Sequence, residues 1–264
     1  MNLTLPAHTL RSVAAALRQL SYVPTSWQGV LAGMGADGRC QLEPLLVQMV
    51  REGAQPRLMA LVLDQLAEQQ ELLQQERDAW SFVWSGPDPL HSRTADTYAT
   101  VDHLLNQAEK SLLIATYNIG LSDDFRELLA SIARRLESGQ LEMVELFFHP
   151  VQLGENLGAD PLATIRRWFD AEVWPWPAKP KALVDRRLLE GGSSSRCRQH
   201  AKVVIADAGT PAAQGLITSA NFSENAQRHN FEAGWLVRSP WRVEQVHQHF
   251  QQLVAQHHFV PLHQ

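Results

Sequence analysis

An α/β fold preceded by a helical segment is what the sequence predicts, on three observations. From about residue 94 onward, stretches of helical apolar spacing alternate with short apolar runs of strand length. Residues 1 to about 80 carry only the helical period, cut by Pro24, Gly29, Gly33, Gly35, Gly38 and Gly53. Between the two, Trp80-Ser-Phe-Val-Trp-Ser-Gly-Pro-Asp-Pro89 replaces the periodic pattern with aromatic and turn residues. The expected domains are therefore a helical region over 1–80 and an α/β domain over 81–264.

Taken in order, the helical region reads as helices over 6–20, 43–51 and 56–78. The third carries Leu58, Leu61, Val62, Leu66, Leu72 and Leu73 as one apolar stripe. Two readings follow: a helical hairpin or small bundle with the stripe inside, or a docking surface for another protein with the Gln/Glu-rich end 68–76 facing solvent. Past the junction the spacing predicts a helix over 94–108, a strand over 111–119, a helix over 122–138, a strand over 141–148 and a helix over 161–169. Ser122 with Asp123 and Asp124 suits a helix start, because hydroxyl and carboxylates meet the free N–H groups and the positive end of the dipole. Gly139 suits its stop. Strands separated by helices of this length predict a sheet with crossover connections. A closing helix over 241–256, with His247, His249, His257 and His258 on it or just beyond, reads as a Gln/His-rich surface helix in preference to a metal site.

The length of 264 residues with 45% hydrophobic content suits one large or two modest domains, with no stretch apolar enough to span a membrane. Residues 1–20 are amphipathic and contain Arg11 and Arg18, which argues against a secretory signal. Cys40 and Cys197 show neither metal-ligand nor disulfide-framework spacing. A cytoplasmic location without membrane association is expected. The net charge of −5 disfavours a wholly basic nucleic-acid binder. Yet residues 166–202 hold nine Lys/Arg against four acids, either a phosphate-attracting cleft on an acidic body or an ordinary solvated face. Within that stretch Trp174-Pro-Trp-Pro177 allows two readings, bases stacking on Trp174 or Trp176, or buried anchoring of a Pro-rich loop. The run Gly191-Gly-Ser-Ser-Ser195 beside Arg196 and Arg198 is expected to act as a flap or to approach the substrate backbone.

The chemistry concentrates in His200-Ala-Lys202-Val-Val-Ile-Ala-Asp207, Ser219-Ala-Asn221 and Asn230-Phe-Glu232. Strand side chains alternate faces, so His200 and Lys202 point one way and Val203 and Ile205 the other; Ser219 and Asn221 repeat the spacing after Gly215-Leu-Ile-Thr218. An imidazole is a nucleophile when one ring nitrogen is unprotonated. Cations and amides beside it stabilise charge growing on phosphoryl oxygens. Asp207 lies at an odd offset from His200, on the other face or just past the strand end, which predicts a structural ion pair there. Glu224 competes with Glu232 as the acid, but Glu232 enters the run Ala233-Gly-Trp-Leu-Val237 and so sits at a strand start.

The order His-x-Lys, four residues, Asp, then Ser-x-Asn, then Glu about ten residues on resembles the HKD signature of the phospholipase D superfamily. Thr218 stands where that pattern has Gly, and the connection from Asp207 to Thr218 is longer than usual. The resemblance implies a phospholipase D-like mixed sheet flanked by helices over about 82–264. It also implies a catalytic set of His200, Lys202, Ser219, Asn221, Glu232 and Asp207, with His200 attacking phosphorus, Lys202 and Asn221 holding phosphate oxygens, Ser219 adding a hydrogen bond and Glu232 orienting His200. Arg196 and Arg198 are expected to bind substrate. Because the nucleophile is a side chain, no metal and no other cofactor is implied. The sequence holds one His-x-Lys of this kind, so the resemblance implies a homodimer that brings two copies of His200 to one phosphorus. Nucleic acid is the expected substrate; a phospholipase or phosphatidyl transferase, or a scaffold of little activity alone, are the alternatives. The helical start, the Val83-Trp-Ser-Gly-Pro87 junction and the single motif are most similar to the phospholipase-D-like component of the bacterial DISARM anti-phage system, which implies defence-system partners.

Overall fold

In a computed structural model describing residues 5–87, 94–154, 157–190 and 198–263, the chain divides into two compact units, Met1–Asp78 and Ala79–Gln264. The first contains α1 (Ala7–Arg18), α2 (Ala36–Arg51) and α3 (Pro56–Asp78). Helices α1 and α3 run antiparallel, with Arg11 paired to Glu71 and Arg18 to Asp64. Helix α2 begins seven residues before the expected start at 43, so Gly38 and Pro44 both lie inside it. Gly38 is accommodated because its bare Cα lies against Met34 and Leu5, which a Cβ would crowd at 2.8 and 3.3 Å. The leucine stripe of α3 is also corrected: Leu58, Leu61, Leu72 and Leu73 are exposed, and the helix buries Met59, Ala60, Leu63 and Ala67 instead. These pack with Leu10, Leu17, Leu42 and Leu46 into the core of this unit.

The second unit is a nine-stranded mixed sheet with helices on both faces. Its strands are β1 (Trp80–Ser85), β2 (Ala95–Asp96), β3 (Ser111–Thr116), β4 (Met143–Phe148), β5 (Lys181–Asp185), β6 (Val203–Ala206), β7 (Gln214–Thr218), β8 (Glu232–Val237) and β9 (Phe259–Pro261). They lie in the order β2-β1-β8-β7-β6-β3-β4-β5-β9. Strands β3, β4 and β5 are parallel, and β6, β7 and β8 run antiparallel to their neighbours. The helices are α4 (Thr97–Gln107), α5 (Asp123–Glu137), α6 (Pro161–Trp168), α7 (Arg187–Glu190) and α8 (Pro240–Ala255).

The central strands are apolar on both sides because both sides are covered. Leu112, Ile114, Leu146, Phe148 and Val204 face the core shared with α4, α5 and α6. Leu113, Ala115, Phe147, Val203 and Ile205 face the core shared with α8. Strand β3 stops at Thr116, three residues short of the expected 119, since Thr116 turns its hydroxyl to the carbonyl of Asn118 and starts a loop. The aromatic junction is corrected from a turn region to a strand: Trp80, Phe82 and Trp84 alternate with Ser81, Val83 and Ser85, pair with β8, and make an aromatic row with Trp235 and Phe231.

Thr218, where glycine was expected, is matched across the ladder by Gly234. A Cβ at Gly234 would stand 2.7 Å from the Ile217 carbonyl and 2.8 Å from the Thr218 Cβ. The Thr218 side chain thus occupies the space that the bare Gly234 leaves across the ladder. The Asp207-to-Gln214 connection is the expected hairpin turn, closed by Thr210 N–H to the Asp207 carbonyl at 3.1 Å. Among the described residues no helix is long and apolar enough to cross a membrane.

Candidate active site

Strand direction gathers the polar residues at one end of the sheet. The carboxyl ends of β3, β4, β5 and β7 meet the amino ends of β6 and β8 there. Such an edge is where open α/β sheets place ligands. His200 and Lys202 lie just before β6, Ser219 and Asn221 just after β7, and Glu232 opens β8. The Thr218 N–H donates to the Lys202 carbonyl at 3.1 Å, which extends the ladder to the motif.

The Lys202 ammonium lies 2.8 Å from His200 Nδ1 and 2.8 Å from the His200 carbonyl. An ammonium only donates, so Nδ1 is the accepting atom of this contact. Lys202 is 6% exposed, and this burial pushes its ammonium below the usual lysine range, with the Glu232 carboxylate pulling the other way. Burial makes the charge available without a full water shell.

The Ser219 hydroxyl bonds Glu232 Oε2, and Asn230 Nδ2 donates to Glu232 Oε1 at 3.4 Å. Within this chain the hydrogen-bond partners of Glu232 are thus Ser219 and Asn230. Strand β7 stands between β6 and β8, and Ser219 takes the carboxylate that would otherwise reach across. The Asn221 side-chain oxygen is shielded from solvent and has no hydrogen-bond partner.

Asp207 lies at the opposite end of β6 and touches none of these groups. Its carboxylate accepts from the backbone N–H groups of Glu109, Lys110 and Ser111 at 2.7–3.1 Å. The expected ion pair is replaced by backbone amides, because the start of β3 presents three of them where a cation would have to sit. Asp207 also adopts φ +56°, a left-handed conformation that Asp tolerates better than most residues.

Two residues that the sequence did not mark lie near this end of the sheet, Tyr117 against His200 and His149 against Tyr117. The Tyr117 ring lies 5.1 Å from the His200 ring and 5.1 Å from that of His149, stacked on the latter at 17°. His149 is buried at the end of β4, and burial, then Arg198, lower its pKa to about 4 while Asp185 opposes them. The only available signal was position, since each immediately follows a strand that ends at this edge.

A histidine of depressed pKa binds fewer protons folded than unfolded. Its stabilising contribution is thus complete above about pH 6.5 and is lost as pH falls toward 4. The expected loss is about 3 kcal/mol. Urea unfolding at stepped pH should show this decline in the wild type and a flatter one in His149→Asn; parallel curves would refute it.

Arg198 lines a cavity of about 550 Å³ with His200, Arg187, His249 and His258. Arg196 and the run 191–195, with Cys197, lie outside the described residues. The cation excess of 166–202 is partly spent internally: Lys179 pairs with Asp170, Lys181 with Glu145, Arg186 with Glu190 and Arg187 with Asp185. Trp174 is fully buried and donates from Nε1 to the Ala178 carbonyl at 2.7 Å, so it anchors its loop and is closed to bases. Among the described residues no three His, Cys, Asp or Glu side chains are grouped to share a metal ion.

Comparison with known proteins places this arrangement. Nuc from Salmonella typhimurium, a phospholipase D family member, is 18% identical over 69% of this chain and 96% of its own, with a TM-score of 0.42. NucT from Helicobacter pylori is 16% identical over 69% of this chain and 99% of its own, at 0.45. Phosphatidylserine synthase from Haemophilus influenzae Rd KW20 is 18% identical over 69% of this chain and 39% of its own, at 0.45. No curated protein matched the chain. The family model described as "Cardiolipin synthase, PLD-like domain" matches residues 101–254, well over half of the sequence and all of the strand ends that carry His200, Lys202, Ser219, Asn221 and Glu232, so the chain belongs to that phospholipase D-like family.

Proposed function

We propose that the protein is a nuclease: a phosphodiesterase that hydrolyses DNA through a phosphohistidine on His200, without a metal, as a homodimer. The observation that carries the reading is the approach of Lys202 Nζ to His200 Nδ1 at one sheet end shared with Ser219, Asn221 and Glu232. An anionic diester entering this edge draws the Lys202 ammonium onto its oxygens. Nδ1 is then free to carry the ring proton, and Nε2 has the lone pair that attacks phosphorus. The P–O bond to the leaving oxygen breaks as that oxygen takes a proton from a second histidine, which enters the step as imidazolium and leaves it as neutral imidazole. Water then attacks the phosphohistidine, returning a proton to the second imidazole and freeing His200. Lys202 and Asn221 hold the equatorial oxygens, where fixed donors in a partly dry site stabilise growing charge. Ser219 and Glu232 form a rigid polar wall beside them. Arg198 and Arg196 bind the neighbouring backbone.

The second imidazole is His200 of another copy, since the chain holds one motif of this spacing. Two-fold symmetry places the same residue of each copy across the axis. A role in anti-phage defence beside other proteins is the finest part of the proposal; it is supported by the helical start and the Val83-to-Pro87 junction.

Purified protein given bis(p-nitrophenyl) phosphate, single- and double-stranded DNA, RNA and phosphatidylcholine vesicles, each with EDTA, tests the reading. Hydrolysis of the small diester and of DNA is expected to persist in EDTA. A strict Mg²⁺ requirement would overturn the mechanism, and release of choline with no loss of DNA would assign the site to lipids.

A further inference from the structure

We propose that a second cavity beside the phosphodiester centre takes an unpaired nucleobase next to the scissile phosphate, which makes a single strand the substrate. The inference rests on the phosphodiesterase reading above. The cavity, of about 530 Å³, lies beyond the carboxyl ends of β3 and β7, within the range of roughly 300–1,000 Å³ typical of small-ligand sites. It is continuous with the centre through Asn221, the last residue of the motif, and through Asn230, which bonds Glu232.

Its lining is unusual in chemistry. Asn118, Gln152, Asn221, Asn225 and Asn230 contribute five side-chain amides. The charged lining residue is Glu224, which is paired with Arg228 at 3.6 Å. Among the described residues no cation and no aromatic ring lines it. A second phosphate would find no counter-charge here, and a quaternary ammonium headgroup would find no ring face. An acyl chain would strand the amides without partners. A flat, neutral group with donors and acceptors along its edge fits, and a side-chain amide matches such an edge with one donor and one acceptor in a plane.

The walls are fixed before any ligand arrives. Gln152 Nε2 donates to Asn118 Oδ1 and to the Ile119 carbonyl, both at 2.8 Å. Gly120 N–H donates to the Phe222 carbonyl at 2.6 Å, and a Cβ on Gly120 would stand 2.9 Å from the Ser223 Cα, so this wall closes only around glycine. Two groups of the lining stay unmatched: Asn221 Oδ1 and the Ser122 hydroxyl are shielded and without partners, and Ser122 makes no side-chain cap to the helix it precedes. A base in a duplex has its pairing edge occupied, so only an unpaired or extruded base can engage these amides.

The test uses single-stranded oligonucleotides bearing one abasic position, moved stepwise past the cleaved bond, alongside the intact strand, the matching duplex and bis(p-nitrophenyl) phosphate. The wild-type protein should cleave the intact strand about tenfold or more faster than the strand whose abasic position adjoins the scissile phosphate. In Asn118→Leu and Gln152→Leu that ratio should fall to within about twofold. Equal cleavage of intact and abasic strands, or of strand and duplex, by a protein that hydrolyses the small diester overturns the base site alone. Failure on the small diester removes the phosphodiesterase reading and the base site with it.

Discussion

His200→Ala should abolish phosphodiester hydrolysis, with a fall of about 10⁴-fold or more in kcat, because it removes the attacking nitrogen and, in a symmetric dimer, the proton donor on the opposite side. The donor alone is worth on the order of 10²–10⁴ in rate. His200 is exposed and makes its side-chain hydrogen bond to Lys202, so the thermal midpoint should stay within a few degrees of the wild type. Mixing sharpens the result. Wild-type and His200→Ala chains unfolded and refolded together in equal amounts should retain about a quarter of the wild-type rate, because only dimers with two intact imidazoles turn over. Retention of half would mean that each chain works alone and would sink the paired mechanism.

Asp207→Ala should be the most destabilising single change at the motif, and it should act without touching the chemistry. The buried carboxylate is the acceptor for the N–H groups of Glu109, Lys110 and Ser111, which join α4 to β3. Leaving a buried donor unpaired costs about 1–3 kcal/mol. Three such donors, with some rescue by water, should cost about 3–5 kcal/mol. Alanine also fits the +56° φ poorly, whereas Asn tolerates it and keeps one acceptor oxygen. Thermal unfolding followed by circular dichroism should therefore show a drop of about 10 °C or more for Asp207→Ala. Asp207→Asn should fall by less than half as much. Equal midpoints for all three proteins would show that the carboxylate does not support the fold.

The motif was legible because its chemistry and its geometry share one code. Residues two apart on an extended chain share a side, so His200 with Lys202 and Ser219 with Asn221 announced a common direction before any strand was assigned. Tyr117 and His149 lacked such a code. Each is a lone aromatic after an apolar run, and only the pairing of β3 with β6 and of β3 with β4 brings them to His200. The partners of Asp207 are backbone amides 96–98 residues away in sequence, which no local pattern encodes. The leucine stripe of α3 shows the same limit. Helical period tells which side chains stand together, not which side a neighbour chooses, and α1 packs against the side bearing Ala60 and Ala67, where small side chains allow close approach. The aromatic junction failed differently: its alternation of Trp80, Phe82 and Trp84 with small residues was a strand signal, masked by the Gly86-Pro87 turn that follows.

The hairpin joining β6 to β7 leaves the sheet at the end opposite His200, and its tip, Pro211 and Ala212, is open to solvent. Four residues of strand, about 13 Å, separate that tip from Lys202. A fluorophore or a purification handle spliced between those two positions would therefore report on or capture the assembled molecule while leaving turnover alone, provided that Asp207 and its amides are kept intact.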